Sequence, residues 1–260
     1  MPNTARIRLL LATVCITLAT ATPAQAALIK QVYRGTVASG YDKIGLFGAG
    51  RDLTGLTYTA TYFIDDIKGM ENRYTSYVYK GNGSYNYDTN NIYGGSDWSK
   101  PNPVSATLTI AGVTIPIGGN AAGQATKHDV NSNIYSGFDD LVSTSLHEYR
   151  YNPDGTPIDK NDLASRAYVD NSTITSPGLR TADAFKVLPG YGTGRYILTN
   201  YATGELVSAQ FNVTSFASSG AAAVPEPASW ALMIGGFGIA GGALRRRAAR
   251  GTARPETALA

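Results

Sequence analysis

The chain has 260 residues, with 22 Lys and Arg, 19 Asp and Glu, two His and one Cys. Residues 27–224 carry 15 of the basic and 17 of the acidic side chains, a formal net charge of −2, so the positive charge of the chain lies at its two ends. This balance argues against a nucleic-acid-binding domain, which needs a clustered basic face. Cys15 precedes the segment, which excludes disulfides and thiolate metal sites from it.

The first 26 residues have the pattern of a secretory signal peptide. Two arginines form a short basic region, an apolar run occupies positions 9–21, and small residues follow at Ala24 and Ala26. We predict a signal helix over this segment and cleavage between Ala26 and Ala27. The apolar run is shorter than the roughly 20 residues that a membrane-spanning helix needs, so a permanent anchor here is disfavoured.

Residues 27–214 are predicted to form one β domain. Period-2 alternation in segments rich in Thr, Tyr and Val is typical of strands with one buried face. It places Tyr58, Tyr62 and Ile64 on one face and the threonines between them on the other. The predicted strands cover 29–38, 55–65, 74–80, 104–110, 113–117, 141–151, 195–201 and 207–213.

Clusters of Gly, Asn, Asp and Pro predict turns between these strands, at 48–50, 80–84, 90–95, 118–123, 152–162 and 190–194. No segment shows a long helical stripe, and we expect at most short helical turns at 161–168 and 182–186. Two half-apolar sheets bury their faces only against one another. The prediction is therefore an all-β fold, a jelly-roll-like antiparallel β-sandwich flanked by the signal helix and a C-terminal transmembrane helix.

No catalytic residue stands out in the β domain, and we expect it not to be an enzyme. The pairs at 65–66 and 139–140 are adjacent acids, which point to opposite faces of a strand and do not form a glycosidase pair by themselves. The alternative is a secreted, glycan-active hydrolase that uses Asp65, Asp140 and His147 or similar residues. A pocket that joins two carboxyls, or a histidine and a carboxyl, would favour it.

Four oxygen-bearing side chains in one segment form a weak calcium candidate: Asp154, Asp159, Asn161 and Asp162. Their spacing fits no EF-hand, and the same residue types form ordinary turns. We therefore assign no cofactor and no metal, and keep calcium as an alternative.

Tyrosine is the one residue type in excess in the composition. All 17 tyrosines lie between residues 27 and 224. A flat ring with a polar tip suits contact with a sugar, whereas tyrosine is also an ordinary strand residue. The hypothesis of glycan contact requires five aromatic side chains to share an exposed face: Tyr77, Tyr79, Tyr85, Tyr87 and Trp98.

The C-terminal segment begins with a Ser/Ala/Gly linker at 215–224. Pro225-Glu226-Pro227 follows, then 17 apolar residues at 228–244 that would span about 25 Å as a transmembrane helix. Trp230 would lie at one interface, and the arginines at 245–247 would lie on the cytoplasmic side. Residues 248–260 form a basic, disordered tail in this prediction.

This segment resembles the PEP-CTERM sorting signal, in the variant with Trp-Ala after the Pro-Glu-Pro. The resemblance rests on these residues: Pro225, Glu226, Pro227, Trp230, Ala231, Gly236, Phe237, Gly238, Arg245, Arg246 and Arg247. It implies recognition by an exosortase, a membrane-embedded cysteine protease/transpeptidase of Gram-negative bacteria that accompanies exopolysaccharide and biofilm production. It also implies that Glu226 and its flanking prolines are substrate, not catalyst.

These observations together predict an exported, exosortase-sorted protein of the envelope or extracellular matrix. Its β domain is expected to be a non-enzymatic structural or glycan-contacting module associated with exopolysaccharide. The expected partners are the exosortase and, before processing, the inner membrane. Exopolysaccharide is a further candidate partner, and no nucleic-acid partner is expected.

Overall fold

The computed structural model describes residues 28–48, 51–80, 83–95, 100–118, 121–131, 140–170 and 173–220. These residues lie in the unit Ala26–Ala222. The described strands are β1 Leu28–Asp42, β2 Arg51–Asp52, β3 Thr57–Asp65, β4 Met70–Lys80, β5 Gly83–Gly94, β6 Val104–Ile110, β7 Val113–Ile117, β8 Ala121–Asn131, β9 Asp140–Tyr151, β10 Pro157–Val169, β11 Ala184–Lys186, β12 Gly192–Asn200 and β13 Gly204–Ser219.

The strands pair antiparallel into one 13-stranded sheet. Its order is β4-β5-β8-β9-β10-β12-β13-β1-β3-β6-β7, with β11 beside β13 and β2 beside β1. The all-β, antiparallel prediction is confirmed, and no helix occurs in the described ranges. The same ranges therefore contain no helix that is long and apolar enough to cross a membrane. The predicted signal and transmembrane helices lie outside the described residues.

The sheet curls so that one of its faces becomes the interior. Tyr33 of β1 and Thr144 of β9 have hydroxyls 3.0 Å apart, although three strands separate β1 from β9 in the sheet. The hydroxyls of Tyr62 in β3 and Ser165 in β10 are also 3.0 Å apart. The two layers expected of a sandwich are thus two halves of one continuous sheet.

The alternation predicted from the sequence defines the buried face. Tyr58, Ala60, Tyr62 and Ile64 of β3 are all buried, as are the inward residues predicted for β6 and β13. Tyr33 and Tyr196 join them in the core. Part of the tyrosine excess therefore fills the interior, where burial raises the pKa of each of these phenols above its ordinary value.

Five strands occupy segments where turns, a helical turn or no element was predicted: β2, β5, β8, β10 and β11. β5 and β8 were not expected, and β10 replaces both the end of the predicted 152–162 turn and the helical turn at 161–168. The second predicted helical turn, at 182–186, contains the short strand β11. β5 is rich in Asn but lies between two strands, where backbone pairing and cross-strand contacts outweigh its low intrinsic strand propensity.

The last strand continues beyond the predicted domain boundary at 214. β13 reaches Ser219 and pairs with β1 and β11 over the start of the predicted linker. Phe216 is buried there, with its ring centroid 4.9 Å from Tyr33 and 5.0 Å from Phe185. Apart from Phe216, the residues at this end of β13 are small, and a run of small residues is typical of a flexible linker. The one buried ring holds the segment in the sheet.

Candidate functional site

A groove of about 590 Å³ crosses the outward face of the central strands. Seven of the residues that line it carry outward-facing hydroxyl or amide side chains: Asn91, Gln124, Thr126, Ser143, Ser145, Thr193 and Gln210. Two arginines, two histidines and one tyrosine complete its polar lining: Arg166, Arg195, His128, His147 and Tyr74. This groove is the candidate functional site.

The strand register explains why these residues meet. Directly paired residues of antiparallel strands project to the same face of a sheet. Two adjacent rows therefore cross the sheet on the outward side, and both supply the groove. The first row is Asn91, Thr126, Ser143, Arg166 and Thr193, and the second is Gln124, Ser145, Ala164, Arg195 and Gln210.

A charge cluster centred on Asp162 lies at one end of the groove. Oδ1 of Asp162 is 2.8 Å from Nδ1 of His147, and its Oδ2 is 3.1 Å from Arg195 and 3.2 Å from Lys160. Burial opposes ionisation of Asp162, but the histidine and the two cations outweigh it and lower the pKa of this carboxyl. The cluster thus holds a carboxylate beneath cationic groups.

Aromatic groups and the second arginine lie toward the other end. Tyr87 and His128 have ring centroids 5.6 Å apart, and Arg166 donates a hydrogen bond to the Tyr168 hydroxyl at 3.3 Å. Burial, followed by the charge of Arg166, lowers the pKa of His128. His128 is therefore neutral at pH 7, and its ring adds to an aromatic surface beside the groove.

The five aromatic residues predicted to contact a glycan do not form one platform. Tyr77 pairs with Asn86 and Tyr87 with Ser76, so Tyr77 and Tyr87 lie on opposite faces of the β4–β5 hairpin. Tyr79 and Tyr85 belong to the same two strands. Trp98 lies outside the described residues. The prediction of a single shared face is wrong for Tyr77 and Tyr87.

Tyr74 lines the groove, and the sequence analysis did not select it. It pairs with Thr89, which places it on the same outward face as Tyr87. The signal that finds Tyr74 is the register of the hairpin, and this register does not follow from the sequence because turns are predicted at both ends of β5 and no strand between them.

The residues proposed for a hydrolase do not converge. Asp65 pairs with Lys68 at the end of β3. Asp140 points inward and accepts hydrogen bonds from the backbone N–H groups of Val130 and Ile174, whereas His147 points outward. His147 instead meets Asp162, which the sequence analysis considered only as a calcium ligand.

The four calcium candidates also have separate environments. Asp154 accepts hydrogen bonds from Thr156 within its turn, and Asp159 pairs with Arg150. Asn161 donates to Glu148, and Asp162, as the next residue on the strand, points to the other face. Among the described residues no group of three or more His, Cys, Asp or Glu side chains is placed to hold a metal ion.

The predicted signal-cleavage and sorting residues lie outside the described residues. Comparison with family models identifies a PEP-CTERM protein-sorting motif at residues 223–247. This motif includes every sorting residue from Pro225 to Arg247, and it indicates an exported protein that an exosortase, a membrane enzyme, processes. No curated protein and no solved structure matches the chain.

Proposed function

Because the chain carries an exosortase-sorting signal, we propose that it delivers a non-enzymatic, glycan-binding β domain to the envelope or to an exopolysaccharide or biofilm matrix. The signal peptide directs export, and residues 228–244 hold the protein in the inner membrane until the exosortase acts near Glu226. The groove on the outward face of the sheet then contacts matrix polysaccharide.

The observation that carries this proposal is the lining of the groove. Seven hydroxyl or amide side chains present donors and acceptors that match sugar hydroxyls, and Tyr74 offers a ring that is 42% exposed. The first row of groove residues crosses five strands, a distance of roughly 19 Å at the usual strand spacing. A groove of this length suits several consecutive units of a polymer better than a single small molecule.

The binding experiment uses two tyrosines of the same strand. Tyr74 lines the groove, whereas Tyr77 is 69% exposed on the opposite face. Titration of the processed protein with exopolysaccharide from the producing cells should show that Tyr74→Ala weakens binding about two- to tenfold, the usual contribution of an aromatic contact. Tyr77→Ala should leave binding unchanged. Undetectable binding by the unaltered protein, or equal losses in the two variants, would refute the groove as a glycan site.

The sorting part of the proposal has a separate test. Glu226→Ala should leave the tail uncleaved, so that the protein stays in the inner-membrane fraction with the mass of residues 27–260. The unaltered chain should lose its tail only in cells that contain the exosortase. An identical mass with and without the enzyme would refute processing.

A second candidate function is favoured by the His147–Asp162 contact. A carboxylate beside Nδ1 orients an imidazole as a general base in Ser-His-Asp hydrolases, and the distance between His147 Nδ1 and Asp162 Oδ1 is 2.8 Å. Ser145 shares the outward face two residues before His147. Within the described ranges, however, no hydroxyl forms a hydrogen bond with His147, and Asp162 is also engaged by Lys160 and Arg195.

The hydrolase alternative predicts turnover, and the binding proposal does not. The test is to incubate the processed protein with acylated exopolysaccharide and to measure released acid and new reducing ends. Release that His147→Gln abolishes would favour the hydrolase. Binding without release would favour the non-enzymatic module.

A further inference from the structure

We infer that the groove selects acidic glycans, because its lining places an anion site between Arg166 and Arg195. This inference rests on the proposed glycan-binding function and adds the chemical class of the ligand: a polysaccharide whose sugars carry a carboxylate or a sulfate group.

The groove lining carries positive charge. Its two arginines are permanent cations, and it contains no Asp or Glu side chain. Residues 27–224 as a whole have a formal net charge of −2. Positive charge is thus concentrated in a concave site on a domain whose overall balance is slightly negative. Such a site raises the local concentration of anionic ligands.

Arg166 has no acidic partner among the described residues. Its one hydrogen bond goes to the Tyr168 hydroxyl, and its guanidinium carbon lies 5.9 Å from the centre of the Tyr168 ring. The ring supports the guanidinium from one side. The side chain is exposed, so its donors can reach a ligand.

Arg195 lies near Arg166 on the same face of the sheet. Arg166 pairs with Thr193 and Arg195 with Ala164, so the arginines are diagonal neighbours on one face, at the separation of about 7–8 Å typical of such pairs. Arg195 shares Asp162 with Lys160, so the cluster holds one carboxylate against two permanent cations. A ligand anion between the arginines would reduce their mutual repulsion.

The geometry of a guanidinium suits these ligands. Its parallel N–H groups bind the two oxygens of a carboxylate, or two of the three terminal oxygens of a sulfate, in a bidentate manner. The surrounding amides and hydroxyls, with Tyr74 at the rim, would contact the neutral part of the sugar. Uronic acids and sulfated sugars share this chemistry, and the experiment separates them.

The experiment compares acidic polymers with neutral polymers of the same backbone. The probes are polygalacturonate against its full methyl ester for the carboxylate, and dextran sulfate against dextran for the sulfate. Binding to the processed protein is measured by calorimetry at two salt concentrations. We expect at least one acidic polymer to bind tenfold or more tightly than its neutral counterpart, and the one that does so identifies the anionic group.

The matched variants are Arg166→Gln and Arg34→Gln. Arg34 is also exposed and lacks an ion pair with any described residue, but it does not line the groove. Each substitution removes one positive charge, so the two variants differ only in where that charge is lost. Arg166→Gln should reduce acidic-polymer binding at least fivefold and reduce neutral-polymer binding by a clearly smaller factor. Arg34→Gln should change neither. An unchanged melting temperature confirms that the Arg166 variant folds.

Three results would overturn the inference, and they differ in what they say of the proposed function. Equal affinity for acidic and neutral polymers would remove the anion site and leave the glycan groove in place. Equal losses in the two variants, or equally tight binding of polyglutamate, would show attraction by charge alone. Failure of every polymer, including the native exopolysaccharide, to bind would overturn the glycan-binding function itself.

Discussion

Lys127 Nζ lies 2.6 Å from Asp183 Oδ2 inside the β domain, where the two side chains are only 2% and 12% exposed. Lys127 belongs to β8, and Asp183 precedes β11. The Lys127 ammonium also donates to the Gly178 carbonyl at 3.3 Å. This ion pair therefore fastens the segment before β11 to the inner face of the sheet.

Lys127→Met should destabilise the protein by about 3–5 kcal/mol, because it leaves the Asp183 carboxylate without its partner in a buried position. The free energy of unfolding in urea measures the effect. The double variant Lys127→Met/Asp183→Leu should recover most of the loss, since no unpaired charge remains. A single variant within about 1 kcal/mol of the unaltered protein would show that solvent reaches the pair.

Asp140 should make the stability of the domain depend on pH. Burial raises the pKa of Asp140 to about 6, and its hydrogen bonds from Val130 and Ile174 only partly oppose this effect. Between the unfolded pKa of about 3.9 and the folded value the native state binds more protons, so this group's contribution to stability falls as pH rises from 4 to 7.

The comparison with Asp140→Asn isolates this contribution. Unfolding free energies of the two proteins at pH 4, 5, 6 and 7 should differ most at pH 4, and the unaltered protein should lose part of its advantage by pH 7. Most other titrating groups cancel in the difference. Parallel pH profiles would contradict the raised pKa.

The sequence predicted the fold class where its pattern matched the physics of one buried face. Strands β3, β6 and β13 alternate in Tyr, Leu, Val and Phe against polar residues, and their inward residues were identified correctly. β5 and β8 are not predicted from the sequence, because their strand positions hold polar residues and glycine in place of an alternating apolar pattern. Their strand character comes from neighbouring strands, which local sequence does not encode.

The site was less predictable than the fold, because it is made by register. Arg166, Arg195, Gln124 and Tyr74 come from four strands, and only pairing across the sheet places them together. His147 is a candidate from the sequence, but its contact with Asp162 is not, since the local sequence predicts a loop around Asp162. The sorting motif is the opposite case, because it lies in one short segment, and the family match at residues 223–247 confirms that the segment is a PEP-CTERM sorting signal.

Phe216 should mark the true end of the β domain. Its buried ring packs on Tyr33 and Phe185, so Phe216→Ala should cost about 3–5 kcal/mol. A chain that ends at residue 220 should melt as the unaltered domain does, whereas a chain that ends at 214 should melt at a lower temperature or fail to fold. Equal melting temperatures for the two shortened chains would restore the boundary at 214.

Gly35 should be essential to the pairing of β1 with β13. A Cβ atom at position 35 would lie 1.8 Å from the Asn212 carbonyl oxygen, and the register shifts between Arg34 and Gly35. Gly35→Ala should therefore destabilise the domain by roughly 3 kcal/mol or more, because the clash is with backbone that both strands hold in place. Gly118→Ala is the control, since a Cβ there has no heavy atom within 4 Å. Thermal denaturation should show a large fall in the melting temperature of Gly35→Ala. The free energy of unfolding of Gly118→Ala should stay within about 1 kcal/mol of that of the unaltered protein. Similar melting temperatures for the two variants would mean that β1 and β13 separate at Asn212 without loss of the core.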